Sequence, residues 1–167
     1  MAHLSAAAAA RRRADGPAPS LTGPADDVHP VLRRTTASPA ALDLLAQART
    51  GLDEAAVLHV PNERYATAHL AALRTAAAVL AVRGRPETSR RRRERIRSVW
   101  EVLPEIAPEL AEWSALFASG ARRRARAEAG IPGAASRREA DDLLRDAAMF
   151  LRLVERLLAL QGLSDDL

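Results

Sequence analysis

The chain contains no cysteine and no lysine. The first absence excludes disulfides, thiolate zinc sites and a cysteine nucleophile, and it suits a reducing cytoplasm, the compartment expected here. The second leaves arginine to supply all 25 basic charges against 21 acidic ones, a net +4. Arg, Ala, Gly and Pro can all be written with GC-rich codons and Lys cannot, so individual arginines carry less functional weight than their number suggests. Aromatics are scarce at 3% although hydrophobic residues reach 48%. Alanine makes up the difference, and alanine favours helix while filling little volume. No stretch approaches the roughly 20 apolar residues that span a bilayer, so no membrane segment is expected. Arg11–Arg13 are followed by Ala14, Asp15, Gly16 and Pro17 rather than an apolar run, which argues against a secretory signal. No segment alternates with period two through Val, Ile, Thr and aromatics, so no sheet is expected.

What is present reads as helices separated by breakers. A length of 167 residues suits one domain. Residues 1–37 carry Gly16, Pro17, Pro19, Gly23, Pro24 and Pro30 with few large apolar side chains, and are expected to form a disordered tail, because such a segment cannot offset its ordering entropy by burial. Order should begin at Ser38-Pro39, an N-cap followed by a first-turn proline, with a short helix stopping at Gly51. After Pro61, Asn62 is expected to cap a long alanine-rich helix reaching about Arg83. A further helix carries Ile96, Val99, Trp100 and Leu103 and should end or kink at Pro104. Pro108 opens the next, with Leu110, Trp113, Phe117 and Ala121 on one side. Gly130 to Gly133 break the chain. Ser136 and Glu139 form a capping box for a last helix running to Gly162. The sequence therefore predicts an all-α fold, a single antiparallel bundle of four to five helices over residues 38–162, with a short acidic end at 163–167.

Two faces matter for function. At about 100° per residue, Tyr65, His69, Leu73, Ala76 and Leu80 share one stripe of the long helix, which predicts a buried His69. The last helix is apolar around most of its circumference, since Leu153 and Leu160 lie off the main stripe, and this suggests a second subunit, a homodimer.

Charge gathers in two places. Arg90, Arg91, Arg92, Arg93, Arg95 and Arg97 form a basic run, and Arg122, Arg123 and Arg124 a second cluster. Both are candidate contacts for RNA, a nucleotide or an acidic protein partner. The plainer reading is a solvated loop and a helix C-terminus where positive charge is favourable anyway. No aromatic is interleaved with the first run, so base stacking has no platform there. Glu139, Asp141, Asp142 and Asp146 crowd the start of the last helix, where carboxylates match the macrodipole. The four histidines show no paired ligand spacing, so no metal site is expected. No nucleophile elbow or Gly-rich phosphate loop occurs, and no cofactor is expected.

Taken together, Glu63-Arg64-Tyr65-Ala66-Thr67-Ala68-His69-Leu70-Ala71-Ala72-Leu73-Arg74, Arg97-Ser98-Val99-Trp100-Glu101-Val102-Leu103-Pro104, Ala107-Pro108-Glu109-Leu110-Ala111-Glu112-Trp113 and Glu139-Ala140-Asp141-Asp142-Leu143-Leu144-Arg145-Asp146-Ala147 resemble the HEPN superfamily, in particular its small actinobacterial members. The resemblance covers nearly all of residues 38–162. It implies a dimer-forming α-bundle in a superfamily that includes metal-independent ribonucleases, toxin or defence proteins, and non-catalytic members that bind nucleotides, RNA or proteins. The ribonuclease members carry an Arg, then roughly four to six residues, then a His, and Arg64 and His69 are such a pair. An imidazole can shuttle a proton and a guanidinium can hold a phosphate. Five residues apart on one helix, the two side chains point about 140° apart, so they would converge on a phosphate only through long side chains or across a dimer cleft. The expectation is therefore an interaction module with a structural His69, and the alternative is an endoribonuclease using Arg64 and His69.

Overall fold

A computed structural model describes residues 38–85, 90–93 and 97–164. The expected tail at 1–37, Arg95, and the side chains of Arg92, Arg93 and Leu160 lie outside the described residues, as does most of the acidic end. Among the described residues there are five helices and no strand: α1 (Pro39–Val57), α2 (Pro61–Arg83), α3 (Val99–Ile106), α4 (Ala111–Glu128) and α5 (Arg137–Ser164), with a helical turn at Arg90–Arg93 and a 3₁₀ turn at Pro108–Leu110.

Ser38 caps α1 as expected, its hydroxyl accepting from the Ala41 amide at 3.2 Å. The helix does not stop at Gly51. It runs on to Val57, because Gly51 is buried against α2, where a Cβ would lie 3.4 Å from that of Ala71. Gly51 is a contact glycine and not a C-cap. Ala41, Leu45, Ala48, Leu52 and Ala55 form the buried seam of α1, and α1 packs along α2, where Gly51 meets Ala71. Small side chains on α2 let neighbouring backbones come close. The connection between the two helices is only residues 58–60, so they pack as antiparallel neighbours.

α2 is the central helix, packed by α1, α3, α4 and α5. By length and composition it is the one helix among the described residues that could cross a membrane. Its alanines raise the mean hydropathy, and the other helices cover half of that window. Its start also differs from expectation. Val60 takes the N-cap position without a side-chain bond and Pro61 opens the helix. Asn62 reaches across the bundle instead, donating to the Ile131 carbonyl at 2.8 Å and accepting from the Ala135 amide at 3.0 Å.

Pro104 lies within α3, which continues to Ile106. A proline has no N–H to give the carbonyl four residues back. That carbonyl belongs to Trp100, and the Ser114 hydroxyl of α4 donates to it at 2.6 Å. The buried side of α4 is Ser114, Phe117, Gly120 and Ala127, whereas Ala121 is exposed. Phe117 stacks on Trp100 at 5.2 Å, and Trp113 and Phe117 both meet Phe150 of α5. The capping box forms as read: Ser136 Oγ accepts from the Glu139 amide at 3.1 Å, and Glu139 accepts from the Ser136 amide at 2.8 Å.

Candidate functional site

His69 lies on the α2 stripe predicted for it and is fully enclosed, at 0% exposure. Its Nε2 is 2.9 Å from the Phe117 carbonyl. A carbonyl only accepts, so Nε2 carries the proton, and the neutral ring leaves Nδ1 as a buried lone pair without a partner. Tyr65 stacks on the imidazole at 6.5 Å, and Trp100 and Phe117 meet it edge-on at 5.9 and 6.2 Å. Burial among these rings pushes the pKa of His69 below its ordinary value, opposed by the Phe117 carbonyl.

The enclosure depends on a residue that sequence reasoning missed. Gly120 of α4 faces the same pocket of rings. A Cβ there would stand 2.6 Å from the Tyr65 hydroxyl and 3.5 Å from His69 Cδ2. The only advance signal was a glycine inside a helix, where it costs about 1 kcal/mol relative to alanine and so needs a reason.

Arg64 does not join His69. One turn earlier on α2, its Nε donates to the Leu58 carbonyl at 2.9 Å and its terminal nitrogen pairs with Asp141 of α5. The guanidinium thus ties the α1–α2 connection to the start of α5, while the imidazole ties α2 to α4. Asp141, which sequence places in the acidic cluster at the start of the last helix, is thus the partner of Arg64.

The two arginine clusters are unequal. Arg97 pairs with Glu105 and Glu101. Arg124 pairs with Glu128 at 2.8 Å, and Arg123 lies over the Tyr65 ring and pairs with Glu139 at 3.0 Å. Arg90, Arg91 and Arg122 are exposed. Among the described residues no group of three or more His, Cys, Asp or Glu is placed to hold a metal ion. An open depression of about 320 Å³ is lined by Arg152, Glu155, Arg156 and Ala159, three turns or more along α5 from Asp141, and is separate from Arg64 and His69.

The model of the SAV_6107-like HEPN family matches residues 55–155. That stretch runs from the last turn of α1 through most of α5 and includes Arg64, His69, Gly120 and Asp141. The chain belongs to this HEPN family. No curated protein and no solved structure matches it. Within this HEPN module Arg64 and His69 have different neighbours, Leu58 and Asp141 for the guanidinium and Phe117 for the imidazole.

Proposed function

We propose that this HEPN protein acts by association and not by catalysis, holding RNA on arginines outside its core. The observation that carries the reading is the state of His69. A proton shuttle must reach the reacting oxygen directly or through one water, and this imidazole is enclosed by aromatic rings with its one proton given to the Phe117 carbonyl. Arg64, the residue that would hold the phosphate, is engaged by Leu58 and Asp141. Exposed Arg90 and Arg91, between α2 and α3, and Arg122 on α4 support contact with a phosphate backbone. Such contacts carry little sequence information, so binding is expected to be sequence-tolerant and salt-dependent.

The test is purified protein with mixed RNA in EDTA. RNA should remain intact and be retained by the protein, with affinity falling as salt rises. Replacing Arg90 to Arg93 together by alanine should weaken binding to all sequences alike and flatten the salt dependence. Metal-independent cleavage, lost in both Arg64→Ala and His69→Ala, would restore the endoribonuclease reading. Failure to retain RNA at low salt would remove RNA as the partner.

A further inference from the structure

α1, α2 and α5 pack on one another directly, and α3 and α4 pack on α2 and on each other. The Ser114 hydroxyl bonds the Trp100 carbonyl and the Trp100 and Phe117 rings stack, so α3 and α4 form a unit. This unit meets α5 through rings, with Trp113 and Phe117 against Phe150 at 5.5 and 5.2 Å. Polar ties to the other helices lie at its two ends and near its middle. At one end Arg83 of α2 pairs with Glu109, just ahead of α4, and at the other Arg123 pairs with Glu139 of α5. Between them the His69 imidazole donates to the Phe117 carbonyl.

The middle tie tolerates only a neutral ring. A charged imidazole donates from both nitrogens, and the buried Nδ1 has no acceptor among the described residues. Around the ring, Tyr65 of α2 and Trp100 of α3 present aromatic carbon. On α4 the nearby charges are committed elsewhere: Arg124 pairs with Glu128, and Arg123 lies over Tyr65 and pairs with Glu139 of α5. With α4 seated, an imidazolium therefore has no counter-charge of its own and no second hydrogen bond. The end ties respond to acid in the opposite sense. Glu109 is held below the ordinary carboxylate range by its own backbone amide and then by Arg83, and Glu139 by the Ser136 amide and hydroxyl. Both stay ionised in mild acid, so the ends remain tied where the middle does not.

We propose that α3 and α4 open away from α2 as a unit when His69 takes up a proton, with the imidazole as the latch and the α4–α5 connection as the pivot. Gly130 and Gly133 in that connection have φ of +71° and +69°, and a Cβ on either would meet nothing within 4 Å. Glycine crosses between positive and negative φ at little cost, so the connection can change course there. Asn62 holds the same connection to the start of α2, through the Ile131 carbonyl and the Ala135 amide, which keeps the pivot in place. Opening lets water reach the ring and bares the Tyr65, His69 and Phe150 surface that α4 covers. One proton does not outweigh the uncovering of Phe117 and Trp100, so the open form stays a minority whose population is graded by pH. Between the ordinary and folded pKa of the ring, each unit of acid raises that population about tenfold. The inference does not rest on the RNA reading.

The experiment is amide hydrogen exchange of the full chain from about pH 7.5 to 5.5, each rate divided by that of an unstructured peptide at the same pH, because exchange detects openings too rare for fluorescence. Amides of α4 should be less protected than those of α1 and α5 at every pH, and should lose protection by about tenfold per unit below about pH 6.5. His69→Gln, whose amide can still donate to the Phe117 carbonyl but does not titrate, should remove that slope while α4 stays the less protected. His59→Gln, at the exposed histidine before α2, should leave the slope unchanged. The wild type alone already decides the matter if His69→Gln does not fold. Equal protection of α4 and α1 would show one cooperative opening and no separate unit, and α4 protection indifferent to pH would show that His69 is no latch. Either result overturns the proposal, as does a slope that persists in folded His69→Gln.

Discussion

His69 owes its place to what it donates and not to what it titrates. The Nε2 proton joins α2 to the Phe117 carbonyl of α4, and the ring fills space among Tyr65, Trp100 and Phe117. His69→Ala should leave a cavity and destabilise the protein by about 1–3 kcal/mol in a thermal melt, while Arg64→Ala, which removes a partly exposed pair, should melt nearer wild type. The enclosed ring also predicts a pH dependence. Its folded pKa lies below the ordinary histidine value of 6.5, so below that value the unfolded chain binds the proton more readily than the folded one. Its contribution to stability is fully present above about pH 6.5 and is lost as pH falls toward the folded pKa. The wild-type melting midpoint should drop between about pH 7 and 5 more steeply than that of His69→Gln. Gly120 belongs to the same enclosure. Gly120→Ala gains helix propensity of about 1 kcal/mol, but its Cβ enters the space of the Tyr65 hydroxyl, and overpacking costs about 1–3 kcal/mol. Net destabilisation is expected, and Tyr65→Phe in the same chain should relieve part of it, a coupling that a double-mutant cycle measures.

At the level of helices, the joints are made by side chains that replace missing backbone partners. Ser114 gives the Trp100 carbonyl the hydrogen bond that Pro104 cannot. Ser114→Ala should therefore cost about 1–3 kcal/mol in the wild type, because it leaves a buried carbonyl unpaired. With Pro104→Ala in place, the new amide can bond Trp100 itself, and the cost of losing the hydroxyl should shrink toward zero. Equal losses in both backgrounds, measured by chemical denaturation, would show that the hydroxyl is not substituting for the amide. These joints mark the limit of what the sequence made legible. Ser38, the Ser136 and Glu139 box, and the break at Gly130 to Gly133 act within a few residues of themselves, so local chemistry reveals them. Gly51 and Gly120 have their reasons on another helix, and Asn62 has its own in the connection between α4 and α5. Gly51 looked like a stop and Asn62 like a cap because each residue type usually serves in that way. His69 was legible as buried from its stripe, but its partner Phe117, 48 positions away, was not.

For the molecule as a whole, the central place of α2 couples everything else. Trp100 and Trp113 lie on α3 and α4, whereas α1, α2 and α5 contain most of the helix, so tryptophan fluorescence and far-ultraviolet dichroism watch different parts of one bundle. Because α2 packs against both parts, the two signals should change together on denaturation. An earlier fluorescence transition would mean that α3 and α4 come away separately. The alanine seam of α2 also carries a thermal consequence. Ala68, Ala71, Ala72, Ala76 and Ala78 are at 0–1% exposure, yet each removes only one methyl group from water for a full peptide unit. Unfolding thus exposes little apolar surface per amide, and it is apolar exposure that raises the heat capacity while polar exposure lowers it. The calorimetric increment should fall below the customary ~12–15 cal/mol/K per residue. A smaller increment flattens the curve of stability against temperature, so the stability of this bundle should fall off slowly on either side of its maximum, with cold unfolding displaced far below the freezing point of water.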